Sequence, residues 1–249
     1  MQIDRKQPNK PKLAIVLFVA LTLVLFLFHF TKNDGKTAAA PAVTVPNVSA
    51  KAVETPAPKP SRVYKVMIDP GHGGEDPGAT GASGEAEKTS NLAIALEVER
   101  LLKQDAMFDP ALTRTDDTYV GLEERAEMAN DWGADVLLSI HGNSYEKSDV
   151  SGTETFYRHE DSMRLATIIH EHLVAAMDSQ DRGVKEERLE VLSYSQMPAI
   201  LVEPGFLTNA SDESAMTRGD GQSRIARSIV DGLKQYFAAL SDPATDTVS

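Results

Sequence analysis

His72 sits in the run Met67-Ile68-Asp69-Pro70-Gly71-His72-Gly73-Gly74, where an apolar stretch ends in a glycine-rich turn. Two further runs share that layout: Leu137-Leu138-Ser139-Ile140-His141 and Ala199-Ile200-Leu201-Val202-Glu203. Each predicts a buried strand whose C-terminal end delivers a metal ligand or a proton carrier. Open α/β sheets place their sites at that edge. His72 has little apolar cover among its glycines, unlike a core histidine. Paired with His141 it suits zinc, which accepts imidazole nitrogen and carboxylate oxygen and keeps a position open for water in catalytic sites.

A third ligand is left open by the residue types alone. Glu75, Asp76, Glu85 and Glu87 all follow His72. Glu87 stands nearest the start of the next helix, where the scaffold would hold it, and Glu85 is its rival. Glu203 ends an apolar strand, where a carboxylate is costly unless it is paired or used. One reading makes it a general base and acid beside an activated water. The other makes it the partner of a buried arginine, Arg114 or Arg125. His170-Glu171-His172 lies within a helical pattern, where i and i+2 do not face each other, and it lacks the i,i+4 histidines of a zincin. It is assigned to helix packing or surface, and His159 to a surface loop. Ser139 and Ser144 sit in no nucleophile elbow. The chain has no GxxxxGK[ST] phosphate loop.

The positioning elements follow from periodicity. Strands are expected at Val63–Asp69, Ala111–Thr113, Asp135–His141, Gly152–Tyr157 (an edge), Glu190–Leu192 and Pro198–Val202. Helices are expected at Thr89–Gln104, capped by Thr89 or Ser90, at Gly121–Trp132, ended by Gly133, at Asp161–Met177 and at Gly221–Phe237. Leu122, Ala126, Met128 and Ala129 are the expected packing residues of the second helix, and Met163, Ala166, Ile169, Leu173 and Met177 those of the third. Strand–helix alternation gives a three-layer α/β domain with a twisted, mostly parallel central sheet flanked by helices.

The N-terminal quarter is different. Residues 13–30 form 18 residues without a charge, a helix about 27 Å long if formed. That length is near the lower end for spanning a bilayer. Arg5, Lys6, Lys10 and Lys12 precede it, so the positive-inside rule keeps residues 1–12 cytoplasmic and exports the rest. A cleaved signal peptide is the rival, with a small-residue site at Thr37-Ala38-Ala39-Ala40. Residues 31–61 hold five prolines and no apolar period, and read as a tether. The catalytic domain is placed at 62–240 and a flexible tail at 241–249. Cysteine is absent, which excludes thiolate catalysis and cysteine-ligated zinc. Residues 62–249 carry 17 basic and 34 acidic residues, a net −17 that should repel nucleic acid.

The chain also resembles the zinc-dependent N-acetylmuramoyl-L-alanine amidases of bacterial cell-wall turnover. The matching stretches are IDPGHGGEDPGA (68–79), EK (87–88), LTRTDD (112–117), LEERAEMAN (122–130), LLSIHGN (137–143), SGTETFY (151–157) and MPAILVEPGFLTN (197–209). The resemblance implies zinc on His72, Glu87 and His141, with Glu203 as the catalytic glutamate. It implies cleavage of the amide between the lactyl group of N-acetylmuramic acid and L-alanine in peptidoglycan. Gly142 stands where many members carry alanine, serine or cysteine, a departure expected to be harmless. Only Arg158-His159-Glu160 separates the SGTETFY strand from the next helix, leaving no room for the autoinhibitory helix that some periplasmic members insert there. A monomeric, membrane-tethered catalytic domain is expected. A zinc peptidase or deacetylase acting on wall material, or an inactive wall-binding domain, is the alternative.

Overall fold

The structure is a computed structural model that describes residues 62–241. The expected anchor at 13–30, the tether at 31–61 and nearly all of the expected tail lie outside the described residues.

Six strands form one sheet: β1 (Tyr64–Pro70), β2 (Phe108–Leu112), β3 (Val136–Ile140), β4 (Thr153–Tyr157), β5 (Asp181–Glu186) and β6 (Ala199–Glu203). Their order across the sheet is β2-β1-β3-β6-β4-β5. β2, β1, β3 and β6 run parallel, and β4 joins β6 antiparallel. The C-terminal ends of β1, β3 and β6 therefore meet at one edge, together with the N-terminal end of β4.

The helices are α1 (Glu87–Leu102), α2 (Leu122–Trp132), α3 (Met163–Met177), α4 (Glu190–Ser193), α5 (Ala210–Thr217) and α6 (Gly219–Ser241). They cover both faces of the sheet. Val66, Ile68, Leu138, Ile140, Ile200 and Val202 pack with α1, α3 and α6. The alternate residues Met67, Leu137, Ala199 and Leu201 pack with α2 and α4. Both faces of β3 are buried along its whole length, which explains its unbroken apolar sequence. The three-layer α/β expectation holds.

Several expectations at the level of single elements need correction. Glu190–Leu192 is not a strand: Glu190–Ser193 is a short helix that seats Val191 and Leu192 under the sheet. β5 and α5 were not foreseen. β5 is an exposed edge with little apolar content, so it carries no periodic signal. α1 begins at Glu87 with Ala86 at its N-cap and no side-chain cap, so neither Thr89 nor Ser90 caps it. Met163 is exposed, and Leu165 and Ile168 take its place on the buried side of α3. On α2 Ala126 and Ala129 are buried as expected, but Leu122 is 50% exposed and Arg125 is buried. Gly133 does end α2, in the left-handed conformation that glycine adopts without strain.

Candidate metal centre

The site begins with a buried acid at the end of β1. Asp69 accepts hydrogen bonds from Thr113 Oγ1 at 2.6 Å and Ser139 Oγ at 2.7 Å, and pairs with Arg125 Nη1 at 2.7 Å. Arg125 also donates to the Pro70 and His72 carbonyls, each at 2.8 Å. Arg114 donates to the carbonyls of Pro70 at 2.9 Å and Gly71 at 2.8 Å. Two guanidinium groups thus hold the turn around His72 from below. Buried backbone carbonyls need partners, and this loop receives them from side chains. Neither arginine pairs with Glu203, so the structural alternative for that glutamate falls. Sequence reasoning assigned no role to Asp69 and missed the arginines' true role. Their signal was position: the arginines lie within two of the family-like stretches.

This support fixes an unusual backbone. His72 has φ +62°, the left-handed region that side chains other than glycine rarely adopt. Such strain is kept where the surroundings over-determine it, often at functional sites. Gly71 is required for a different reason. A Cβ there would overlap the His141 ring. Glycine therefore lets the two histidine loops close on each other, with ring centroids 4.8 Å apart.

Glu87, the first residue of α1, lies between the rings. His72 Nε2 is 3.2 Å from its Oε2, and His141 Nδ1 is 3.0 Å from its Oε1. The Gly142 amide (3.0 Å) and Asn91 Nδ2 (3.1 Å) also donate to Oε1, and the Ala79 amide donates to Oε2 at 2.9 Å. Burial pushes the Glu87 pKa up, but the hydrogen bonds with His141 and His72 outweigh it and hold the group well below the usual carboxylate range. For His72, burial favours the neutral ring, yet the bonds with Glu87 and Asp76 win and raise its pKa.

His72, Glu87 and His141 each turn one donor atom inward, and those atoms lie within 4.8 Å of one another. Among the described residues this is the one such group of three. The remaining His72 nitrogen, Nδ1, meets Asp76 Oδ2 at 2.7 Å. A carboxylate on the outer nitrogen of a ligating histidine is the usual way to fix its tautomer and orientation. The two-nitrogen, one-carboxylate set fits a divalent metal and leaves room for a further ligand. Glu85 is not part of it.

Glu203 ends β6 at the same edge of the sheet. Its Oε2 is buried without a hydrogen-bond partner. Burial first, then the charges of Glu154 and Glu87, push its pKa up to about 8. The His170-Glu171-His172 run lies elsewhere. His170 is buried and bonds Thr155 at 3.1 Å and Asp181 at 2.8 Å, and His172 bonds Gln235 at 2.8 Å. Ser139, spent on Asp69, has no catalytic geometry. Gly142 packs against Leu207 and Met216, which occupy the space a side chain would take.

The N-acetylmuramoyl-L-alanine amidase profile matches residues 66–235, most of the chain and all of this site. The chain belongs to the N-acetylmuramoyl-L-alanine amidase family. The amidase is 43% identical over 185 residues to the uncharacterized protein YqiI of Bacillus subtilis, covering 73% of this chain and 88% of that one. It is 41% identical to the sporulation-specific N-acetylmuramoyl-L-alanine amidase of the same organism, covering 70% of this chain and 69% of that one. The catalytic domain of CwlV from Bacillus (Paenibacillus) polymyxa var. colistinus superimposes with a TM-score of 0.69 at 41% identity. That match covers 71% of this chain and 99% of the domain.

Proposed function

We propose that this chain is a zinc-dependent N-acetylmuramoyl-L-alanine amidase that hydrolyses peptidoglycan outside the cytoplasm. The observation that carries the reading is the convergence of His72, Glu87 and His141 at the sheet edge where Glu203 also ends, in a member of this family. His72, Glu87 and His141 would hold the zinc, with Glu203 acting on protons. Bound there, zinc supplies Lewis-acid polarisation of the scissile carbonyl and of the attacking water.

The chain's own residues do the rest. Asp76 keeps the His72 ring oriented, and the Gly142 amide and Asn91 hold the Glu87 carboxylate in place. Glu203 takes the proton of the attacking water on its unpartnered oxygen. It then delivers that proton to the alanine nitrogen as the amide breaks. Its unpartnered oxygen leaves a lone pair free for the first transfer, and the proton it takes is the one it gives to the leaving nitrogen.

The placement outside the cytoplasm rests on the basic residues 5–12 followed by the uncharged run 13–30. Among the described residues no helix is long and apolar enough to cross a membrane. The domain scheme (anchor 13–30, tether 31–61, catalytic domain 62–240) belongs to the same proposal. Protease should therefore reach the domain on intact protoplasts.

The test of the activity is mass spectrometry of purified peptidoglycan digested by the full chain, with and without a chelator. Stem peptides with a free L-alanine amine, alongside fully N-acetylated glycan, are expected, and the chelator should abolish them. Released acetate or internally cut stem peptides would overturn the amidase reading in favour of a deacetylase or peptidase.

A further inference from the structure

β5 carries a bulge beside the site. Thr153 pairs with Asp181 but Thr155 pairs with Val184, so β5 holds one residue more than β4 over this stretch. Gly183 takes it up at φ +90°, a conformation glycine tolerates. In a regular strand, residues three apart point to opposite faces. The extra residue puts Arg182 and Lys185 on the same face. Bulges next to active sites commonly re-aim a side chain in this way.

Both cations converge on one oxygen. Arg182 Nε donates to Glu154 Oε1 at 2.7 Å, and Lys185 Nζ donates to it at 2.8 Å. Asn143, two residues past His141, donates to Oε2 at 2.9 Å. Glu154 lies directly opposite Glu203 in the antiparallel pairing of β4 with β6. Facing residues of such a pair share a face, with Cβ atoms about 5 Å apart. The cation pair therefore stands two strands from Glu203, joined to it through Glu154 on the strand between.

The group has donors to spare. Two cations share one carboxylate, and neither forms an ion pair with Glu203. Arg182 stacks on Phe206 with its charge centre 5.1 Å from the ring. Its side chain is 31% exposed and that of Lys185 44%. Lys185 spends one N–H on Glu154 and Arg182 keeps Nη2 free of protein bonds, so both retain donors toward solvent. Two adjacent cations stand out where residues 62–249 carry 17 basic and 34 acidic residues.

We propose that Arg182 and Lys185, gathered on Glu154 by the Gly183 bulge, form a subsite that recognises a carboxylate of the stem peptide on the leaving-group side. This rests on the amidase reading above. Glu203 delivers its proton to the alanine nitrogen, and neighbouring strands lie about 4.8 Å apart. β5 therefore lies about 10 Å from β6, a span within reach of the residues that follow L-alanine, and a carboxylate on the first of them is the one tested. Glu154 acts as a positioning residue that holds both donors toward the substrate.

The experiment compares two substrates with the zinc-loaded full chain: N-acetylmuramoyl-L-alanyl-D-isoglutamate and the otherwise identical D-isoglutamine carboxamide. The wild type should favour the carboxylate by about tenfold or more in kcat/KM, as expected for a charge-assisted contact, with most of the difference in KM. Lys185→Gln and Arg182→Gln should each bring the ratio of the two substrates toward one, and Lys185→Arg should keep it. Lys185 is exposed enough that its variants should fold, and thermal melting verifies this. Equal turnover of both substrates by the wild type overturns the subsite while leaving the amidase reading intact. An unchanged preference in both glutamine variants does the same. Turnover of neither substrate overturns both.

Discussion

The two halves of the active edge are built in opposite ways. Around β1 and β3, each charged group the site depends on is answered. Asp69 is met by Arg125, Thr113 and Ser139, the turn carbonyls by Arg114 and Arg125, and Glu87 by two imidazoles, two amides and Asn91. Around β6, β4 and β5, Glu203 faces another carboxylate across the pairing, and its Oε2 has no partner. Like charges directly opposite in a sheet are destabilising. The difference teaches what each half is for. A metal site must be rigid before the ion arrives, so its donors are fixed by satisfied bonds. The proposed proton carrier must be able to change state, and one of its oxygens is buried without a partner.

The largest effect should come from the satisfied half. His72→Ala or His141→Ala should abolish stoichiometric zinc binding and with it the activity, whereas Glu85→Gln should keep both. Elemental analysis of the purified variants decides this, and full zinc retention in either alanine variant would remove that histidine from the ligand set. The unsatisfied half should behave differently. Glu203→Gln keeps the shape but cannot take a proton, so zinc and fold should survive while stem-peptide release falls by roughly 10²–10⁴-fold. Loss of zinc in that variant would turn Glu203 into a ligand and erase the contrast.

Next in size is the support beneath the metal site. Arg125→Leu strands Asp69 as a buried charge and frees the His72 and Pro70 carbonyls. Breaking such a pair from one side costs about 3–5 kcal/mol. Removing Arg158 from its exposed pair with Glu186 should cost under about 1 kcal/mol. Denaturant melts of the two variants compare them directly, and equal small losses would show that the arginine support is dispensable.

The smallest expected effect is on stability with pH in the metal-free chain. Folding raises the Glu203 pKa from 4.5 to about 8, so the fold favours its neutral form. That contribution is fully present below pH 4.5 and is lost as pH rises through about 8. His72, also raised, acts in the same direction. The metal-free chain should therefore be less stable at pH 9 than at pH 6, and Glu203→Gln should flatten that decline. An unchanged slope in the variant would mean that the burial of Glu203 has no energetic consequence.

How much of this was legible beforehand depended on the kind of signal. His72, His141 and Glu203 stand at the ends of apolar runs, and strand burial leaves a continuous mark in sequence. Glu87 was one of four acids in a loop, and spacing alone did not separate it from Glu85. The family resemblance singled it out, and the fold shows why: only the residue that opens α1 is carried between the two imidazoles. Of the residues expected to pack α2, Ala126 and Ala129 are buried but Leu122 is exposed, and Arg125 is buried beside them. Its partner Asp69 is 56 residues away, and no local period records that.

The sequence by itself determined the layers, the ends of β1, β3 and β6 that carry the site, and the family. Hydrophobic period and glycine placement act over a few residues and are written locally. Tertiary structure decided the charge relations. It placed Asp69 above two arginines, set Glu154 opposite Glu203, and used the Gly183 bulge to bring Arg182 and Lys185 to one face. Those relations depend on strand order and register across the sheet, and a register shift of one residue would send each of these side chains to the opposite face.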